Sequence, residues 1–226
     1  LFEFEKFLAN KFNYKPKKNY KKLFNWTIKN PKLFWSSVWE FSNIKGVKND
    51  KFHFPKGIIK SKFLVNSKLN YSENLLSKDD NTKAVTFISE SGYREEKSWR
   101  ELNNKILKLI KFFRDNKIRE NDRVAAYTAN QIETVESFIA TSAIGAIWSS
   151  CSPDFGIQGV IERFSQIKPK LLIITDRYYY NGKEINVLER LPVILKKIKS
   201  IKCVLIINYP GKKSLKQNKI KGTKIF

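Results

Sequence analysis

Residues 171–207 read LLIITDRYYYNGKEINVLERLPVILKKIKSIKCVLII and contain the clearest structural pattern of the chain. It opens with an apolar run at residues 171–175 and closes with a second one at residues 203–207. Runs that are apolar at nearly every position are typical of strands buried on both faces of a parallel sheet. Apolar residues recur between them at helical spacing: Val187, Leu191, Ile194, Leu195 and Ile198. A strand, a helix and a second strand in this order predict a βαβ unit.

The same alternation of strands and helices extends back to about residue 82. A helical apolar face at residues 160–167 is expected to stop before Pro169, because proline restricts the residue that precedes it. Further strands are predicted at residues 84–88, 93–97, 122–127 and 146–148, the second of them after a Ser91-Gly92 turn. The predicted fold class is therefore α/β, with the first βαβ units of a mostly parallel, doubly wound, helix-covered sheet.

Two of the helices have recognisable start signals. Ser98 and Glu101 form a capping box, in which the hydroxyl and the carboxylate satisfy free N–H groups at the first turn. Asn130 and Glu133 repeat that spacing and predict a second capped helix, which Gly145 is expected to close.

The first 75 residues or so are aromatic-rich and otherwise irregular. One helix is predicted there, with Pro31 in its first turn and Gly46 at its end. Its apolar stripe consists of Phe34, Trp35, Val38, Trp39 and Phe41. We expect residues 1–78 to form a cap and residues 79–226 to form the first, truncated part of a larger domain. The polar stretch at residues 209–226 is predicted to be a surface loop.

The net charge of +23 suggests a polyanionic partner, but the kind of basic residue argues against one. Only eight of the 44 basic residues are arginine, the side chain preferred for specific phosphate recognition. The lysines are spread over the whole chain beside many Asn and Ile residues, which indicates a compositional bias of the surface. We therefore expect no nucleic-acid partner.

The location is predicted to be cytoplasmic. Residues 1–6 lack the apolar run of a signal peptide, and no stretch approaches the roughly 20 apolar residues of a membrane span. Cys151 and Cys203 are far apart and suit reduced thiols better than a disulfide framework. The chain contains no Met, so its true start is expected to be processed away or missing.

No catalytic constellation is evident in the sequence. His53 is the only histidine and cannot complete a triad or a multi-histidine metal site by itself, so a structural role is favoured. Cys151 has no candidate base beside it and is interpreted as a small buried residue. Neither phosphate-binding glycine motif, G-x-x-x-x-G-K-[ST] or G-x-G-x-x-G, occurs. We expect no catalytic residue and no metal site in this chain.

Five local strings carry a family resemblance. In chain order they are FWSSVW (34–39), LNYSENLL (69–76), DRVAAY (122–127), GAIWSSCSPDFG (145–156) and YNGK (180–183). Together they resemble the N-terminal half of the acetoacetyl-CoA synthetases, a family of adenylate-forming acyl-CoA synthetases, and the resemblance covers nearly the whole chain. The segment 148–156 is its most specific part, because the sister acetyl-CoA synthetases have a Gly-Gly-Phe turn where this chain has Pro153-Asp154-Phe155.

The resemblance implies an acid–thiol ligase that works in two steps. A carboxylate attacks the α-phosphate of ATP to give an acyl-adenylate and pyrophosphate, and the thiol of CoA then displaces AMP. ATP, CoA, Mg²⁺ and a small carboxylate are the implied cofactors and substrates. In the family, the phosphate loop, the adenine-binding motifs and the catalytic lysine lie further along the chain. The 226 residues are thus expected to be inactive alone and to need the C-terminal remainder as a partner.

The resemblance also implies a surface for CoA. Pro153, Asp154 and Phe155 correspond to the turn beside the pantetheine path, and Tyr180 and Lys183 lie near the nucleotide end of CoA. Lys183 is expected to pair with a CoA phosphate, whereas Tyr180 stands where acetyl-CoA synthetases place an arginine and removes that charge. The alternative interpretation is that residues 181–182 form an ordinary tight turn with an exposed lysine.

Two positions depart from the family pattern. Val65-Asn66 replaces a common Pro-Gly pair, and we expect the turn to survive because Asn tolerates positive φ. Ile132 replaces a common proline at a helix entry, which it is expected to relax without abolishing.

Two other functions remain open from the sequence. One is another short-chain acyl-CoA synthetase, for acetate or propionate, because the substrate pocket of the family is built mostly downstream. The other is a non-catalytic basic module that binds a nucleotide, CoA or nucleic acid. A downstream loop rich in Ser, Thr and Gly and ending in Pro-Lys would favour the ligase over the module.

Overall fold

The computed structural model describes residues 1–12, 14–15, 18–55, 58–215 and 222–226. The backbone divides into two compact units, Leu1–Asn74 and Leu75–Phe226. The first unit contains, in chain order, α1 (Phe2–Phe12), α2 (Tyr20–Lys29), α3 (Pro31–Phe41), β1 (Gly46–Val47), a 3-10 turn (Ile58–Lys60), β2 (Lys68–Leu69) and the start of α4 (Tyr71–Leu75).

Helix α3 is confirmed, with Pro31 in its first turn. Its aromatic stripe packs on α1, where the ring centroid of Phe4 lies 5.1 Å from Phe41 and 6.2 Å from Phe34. The expectation that the rest of this region is irregular is wrong, because α1 and α2 are regular helices. On α2 the start signal is Asn19, whose side chain accepts a hydrogen bond from the backbone N–H of Lys22 at 3.1 Å.

The sequence predicts a backbone role for two residues of the first unit, Gly46 as the end of α3 and Asn66 as a turn residue with positive φ. Gly46 does not end α3, whose C-cap is Ser42. It lies in β1 opposite Leu69 of β2, where a side chain would collide with the carbonyl oxygen of Lys68. Asn66 adopts φ +67°, so the turn at residues 65–66 survives without glycine, as expected.

The second unit carries the sheet. Its elements are β3 (Lys83–Ile88), β4 (Arg94–Ser98), α5 (Trp99–Asp115), β5 (Arg123–Tyr127), α6 (Ile132–Ala143), β6 (Ile147–Cys151), α7 (Ile157–Ile167), β7 (Leu171–Thr175), β8 (Arg177–Tyr180), β9 (Lys183–Asn186), a 3-10 turn (Leu188–Arg190), α8 (Leu191–Lys197), β10 (Cys203–Ile207) and β11 (Lys224–Ile225).

Five of these strands form one parallel sheet in the order β11-β10-β7-β5-β6. Alternate residues of the strands face opposite sides of it, as the two-residue period of a strand requires. One face packs against α7 and α8 and the other against α5 and α6. All five residues of β7 are buried, which explains why the first four are apolar. The α/β prediction of a helix-covered parallel sheet is confirmed.

The predicted helix starts have different outcomes. The capping box of Ser98 and Glu101 is present in full at the start of α5. The box predicted for Asn130 and Glu133 is wrong, because the N-cap of α6 is Gln131 and its side chain makes no capping hydrogen bond. Gly145 does follow the end of α6, with φ +70°.

Three other predicted segments differ from the structure in their bounds or in their secondary structure. Strand β6 continues to Cys151 rather than ending at residue 148. The helix expected from residue 187 is divided into a 3-10 turn and α8. The segment at residues 209–226 is not entirely loop, since β11 pairs with β10; residues 216–221 lie outside the described part of the chain.

Candidate functional site

The carboxyl ends of β5, β6, β7 and β10 meet at one edge of the second unit. The chain leaves β5 through α6 on one face of the sheet and leaves β7 toward α8 on the other. Strands β5 and β7 are neighbours, so the direction of winding reverses between them. Ligands of open α/β sheets bind at such a reversal, beyond the carboxyl ends of the strands.

A cavity of about 340 Å³ lies at this edge. It is bordered by the segments that follow β5, β6, β7 and β10, and by the tip of the β3–β4 hairpin. The lining residues are Phe87, Ile88, Ser89, Glu90, Ala129, Asn130, Ser152, Pro153, Asp154, Tyr178, Tyr179, Tyr180 and Tyr209. Four tyrosines and one phenylalanine give it flat aromatic walls, and two carboxylates give it a polar rim.

The cavity brings together three of the five residues that the sequence singled out. Pro153, Asp154 and Tyr180 line it, although the first two come from the turn after β6 and the third from the end of β8. Phe155 is not among the lining residues, and its ring lies 4.4 Å from the Arg163 guanidinium. Lys183 is exposed on β9, directly opposite Tyr180 in the hairpin register.

The turn at residues 152–156 joins β6 to α7. Ser152 organises it locally, since its hydroxyl lies 2.9 Å from the Asp154 carboxylate and its carbonyl accepts from the backbone N–H of Phe155 at 3.1 Å. Burial raises the pKa of Tyr178, and the neighbouring Asp154 carboxylate raises it further. The Tyr178 hydroxyl therefore stays protonated beside the turn at neutral pH.

Two side chains, the buried Tyr127 and the half-buried Arg190, support this turn. The Tyr127 hydroxyl lies 2.7 Å from the carbonyl oxygen of Phe155 and 3.1 Å from that of Pro153. The Arg190 guanidinium donates to the Pro153 carbonyl at 2.8 Å and to the Tyr127 hydroxyl. Burial raises the pKa of Tyr127, and the nearby Arg190 charge offsets only part of that effect.

The β8–β9 hairpin is closed by Asn181 and Gly182. Both have positive φ, +50° and +73°, as the favoured two-residue hairpin turn requires. The Glu90 carboxylate accepts from both backbone N–H groups, each at 3.2 Å. The tip of the hairpin is therefore a pair of amides that binds an anionic group, here supplied by the β3–β4 hairpin.

Asp176 fixes the segments around the cavity to one another. Its side chain is fully buried and accepts from the backbone N–H of Tyr209 at 2.8 Å and of Leu215 at 3.4 Å. Arg177 pairs with Asp176 at 3.2 Å and with Glu184 of β9 at 2.9 Å. The cavity-lining Tyr209 and the β8–β9 hairpin are thereby held by one ion-pair network centred on the buried Asp176.

The two cysteines and the histidine do not line the cavity. Cys151 and Cys203 are buried and unpaired, and burial raises the pKa of Cys151 and raises that of Cys203 to about 11. Both are therefore neutral thiols at pH 7, which confirms the interpretation of Cys151 as a packing residue. His53 is exposed and pairs through its backbone with Lys62.

No group of three or more His, Cys, Asp or Glu side chains in the described ranges is placed to hold a metal ion. None of the helices that the structure describes combines the length and apolarity that a membrane crossing requires.

Sequence reasoning missed most residues of the site, among them Glu90, Tyr127, Tyr178, Arg190 and Tyr209. The sequence pattern assigns Tyr127 only to a strand, and it distinguishes Arg190 only as one of eight arginines. One signal was available, because Arg190 interrupts the apolar residues of the helical segment at residues 187–198. Its partners come from segments distant along the chain, so they could not be assigned.

Comparison with known proteins shows which family the chain belongs to. Residues 75–224 match the family described as AMP-binding enzyme. The chain is 38% identical over 196 residues to acetoacetyl-CoA synthetase of Gallus gallus, covering 84% of this chain and 29% of that protein. It is 36% identical over 194 residues to acetoacetyl-coenzyme A synthetase of Rhizobium meliloti (strain 1021), covering 85% of this chain and 30% of that protein.

Among solved structures, acetoacetyl-CoA synthetase from Streptomyces lividans is similar with a TM-score of 0.86 and 25% sequence identity. The match covers 99% of this chain and 34% of that one. The chain thus spans about 30% of the length of the curated relatives named above.

Proposed function

Because the chain belongs to the AMP-binding enzyme family, we propose that it is the N-terminal part of a ligase that forms acetoacetyl-CoA from acetoacetate, ATP and CoA. The relatives at 36–38% identity are acetoacetyl-CoA synthetases, which supports acetoacetate over acetate or propionate as the acid. The proposal includes a cytoplasmic location, which the two unpaired, buried cysteines support.

The proposed reaction has two steps. An oxygen of the acetoacetate carboxylate forms a bond to the α-phosphorus of ATP, and pyrophosphate leaves. The CoA sulfur then attacks the acyl carbonyl carbon, AMP leaves with the electron pair of the broken C–O bond, and the thiol proton is released. Mg²⁺ would neutralise phosphate charge in the first step. No group of three or more His, Cys, Asp or Glu side chains among the described residues is placed to hold it.

This chain contributes a surface for CoA in the proposal. The observation that carries the assignment is that Pro153, Asp154 and Tyr180, from two separate segments, line one cavity at the winding reversal of the sheet. Pro153, Asp154 and Phe155 would border the pantetheine arm. Tyr180 would offer its exposed ring to the adenine, since an aromatic face stacks on any base.

Lys183 would pair with a phosphate of the CoA nucleotide. It lies on β9 next to the hairpin tip, whose two amide N–H groups already bind the Glu90 carboxylate. A lysine acts on phosphate as a point charge and needs no fixed geometry. Glu90 and Asp154 are acidic, so in this proposal Lys183 also offsets their repulsion of the CoA phosphates.

The acyl substrate can be tested on the complete ligase. AMP formation would be measured with acetoacetate, acetate and propionate at saturating ATP and CoA. We expect kcat/KM for acetoacetate to exceed the other two by at least about tenfold, because a site built to hydrogen-bond a substrate carbonyl rejects an acid that lacks it. Equal or higher values for acetate or propionate would favour the alternative synthetase instead.

The CoA surface can be tested in the same enzyme by comparing Lys183→Ala with Lys197→Ala. Lys197 is an exposed lysine of α8 and does not line the cavity. We expect the KM for CoA to rise about three- to tenfold in Lys183→Ala only, as for loss of one charged contact. An unchanged KM for CoA in Lys183→Ala would return residues 181–183 to an ordinary tight turn.

A further inference from the structure

Arg190 is the last residue of the 3-10 turn before α8, and its guanidinium reaches the turn that follows β6. One nitrogen, Nη1, lies 2.8 Å from the carbonyl oxygen of Pro153 and 3.3 Å from that of Phe155. The same nitrogen donates to the Tyr127 hydroxyl. The guanidinium carbon also lies 5.8 Å from the centre of the Tyr127 ring.

Tyr127 and Arg190 act on the same two carbonyl groups. A tyrosine hydroxyl has one proton, so it donates to one of the two carbonyls at a time. The guanidinium supplies further donors and carries a permanent charge. Together they satisfy both carbonyls, and the side chains of Asp154 and Phe155 remain exposed on the turn.

We propose that Arg190 is a positioning residue that holds residues 153–155 in the conformation that CoA meets. This inference rests on the proposed function, in which that turn borders the pantetheine arm. Arg190 is not itself among the residues that line the cavity, so it acts through the turn. Its effect belongs to the second step of the reaction, because only that step uses CoA.

The chemistry of the side chain matters in this role. Arginine presents several donors in a planar fork, whereas lysine presents a compact point charge on a flexible stem. Lysine at position 190 would reach one carbonyl but would lose the shared contact with Tyr127 and much of the interaction with its ring. Arg190→Lys should therefore restore only part of the function that Arg190→Ala loses.

The test uses the complete ligase with Arg190→Ala, Arg190→Lys and Arg114→Ala as a matched control. Arg114 is an exposed arginine in the last turn of α5. ATP–pyrophosphate exchange with acetoacetate reports the first step, and the KM for CoA reports the second. For Arg190→Ala we expect exchange within about twofold of the parent and a KM for CoA raised about tenfold, with Arg190→Lys in between.

A second measurement reads the position of the turn directly. Hydrogen–deuterium exchange of the 226-residue chain should show faster exchange in peptides that cover residues 152–156 for Arg190→Ala. Peptides from β5 and β7 should keep their protection, because those strands are buried in the sheet.

Three outcomes would overturn the inference. These are kinetics of Arg190→Ala that match Arg114→Ala, equal losses in both reaction steps, and a turn whose exchange is unchanged. A parent ligase that makes no acetoacetyl-CoA would instead overturn the proposed function. In that case faster exchange at the turn would still support the structural part of the inference, and unchanged exchange would overturn it.

Discussion

The ammonium group of Lys97 lies 2.9 Å from Oε1 of Glu136, whose side chain is fully buried. This ion pair joins β4 to α6, and Glu95 and Glu133 lie 3.5 Å and 3.7 Å from the same ammonium group. The second carboxylate oxygen of Glu136 has no hydrogen-bond partner among the described residues. Burial raises the pKa of Glu136, and Lys97 counteracts that rise.

Lys97→Ala should therefore leave an uncompensated buried carboxylate. We expect the free energy of unfolding to fall by about 3 kcal/mol at pH 7, as for the loss of one partner of a buried pair. Urea denaturation measures it, with Lys111→Ala as the control. Lys111 pairs with Asp115 on the exposed surface of α5, so its loss should cost less than about 1 kcal/mol. Equal losses for the two variants would contradict the argument.

The pH dependence of the Lys97→Ala variant follows from the direction of the Glu136 shift. The folded state binds this proton more tightly than the unfolded state, in which the pKa is near its ordinary value of 4.5. The stabilisation from protonation is thus lost as the pH rises through the raised pKa. The deficit relative to the parent should shrink as the pH is lowered toward 4.5. A deficit that grows on acidification would show that Glu136 is not its source.

Asp176→Asn should weaken the edge of the cavity more than the sheet itself. The substitution keeps the size of the side chain but removes the charge that Arg177 and the N–H of Tyr209 contact. We expect a loss of about 3 kcal/mol in unfolding free energy and faster hydrogen exchange around Tyr209. Asp115→Asn, on the exposed surface of α5, is the control. Unchanged exchange at residues 209–215 would contradict the role given to Asp176.

Glu90→Gln should improve CoA binding in the complete ligase. The carboxylate occupies the two amides of the hairpin tip and places a negative charge where the proposal puts the CoA phosphates. We expect the KM for CoA to fall about threefold at low salt, and the difference to fade as ionic strength screens the charge. Glu162→Gln, an exposed position on α7, should have no such effect. A raised KM for CoA in Glu90→Gln would mean that the carboxylate supports the site instead.

The 226-residue chain alone should give no ATP–pyrophosphate exchange with acetoacetate. The sequence contains neither the G-x-x-x-x-G-K-[ST] nor the G-x-G-x-x-G phosphate-binding motif. The donors that would stabilise the charge on the α-phosphate are expected elsewhere in the ligase. The complete ligase serves as the positive control. Exchange above the buffer level with this chain would place the phosphate chemistry within these residues.

Local sequence patterns predicted those elements whose residues are all buried alike or whose contacts are between near neighbours in the chain. Strand β7 is buried throughout and four of its five residues are apolar, so the pattern could be read without tertiary information. The cap of α5 depends only on Ser98 and Glu101, which are three residues apart. Asn130 has the right type for a cap but is exposed, and the start of α6 is set by the buried Gln131, which donates to the carbonyl of Asn208.

The site was predictable only in part for the same reason. Family resemblance selected the two loops that carry Pro153, Asp154 and Tyr180, and the structure brings those three residues to one cavity. The contact between Arg190 and Tyr127 spans 63 positions, and no local period encodes it. The pairing of Glu90 with the hairpin tip spans more than 90 positions and was invisible for the same reason.

The Asn181-Gly182 pair at the hairpin tip also has the sequence of a deamidation site. An Asn-Gly pair deamidates when the glycine nitrogen attacks the asparagine side-chain carbonyl and closes a succinimide ring, and asparagine is accordingly a thermolabile residue. In this chain the nitrogen of Gly182 is engaged as a hydrogen-bond donor to Glu90, and positive φ at both residues holds the turn in a hairpin geometry. We therefore expect Glu90 to slow a reaction that would leave an additional carboxylate, or an isoaspartyl kink, two residues before Lys183.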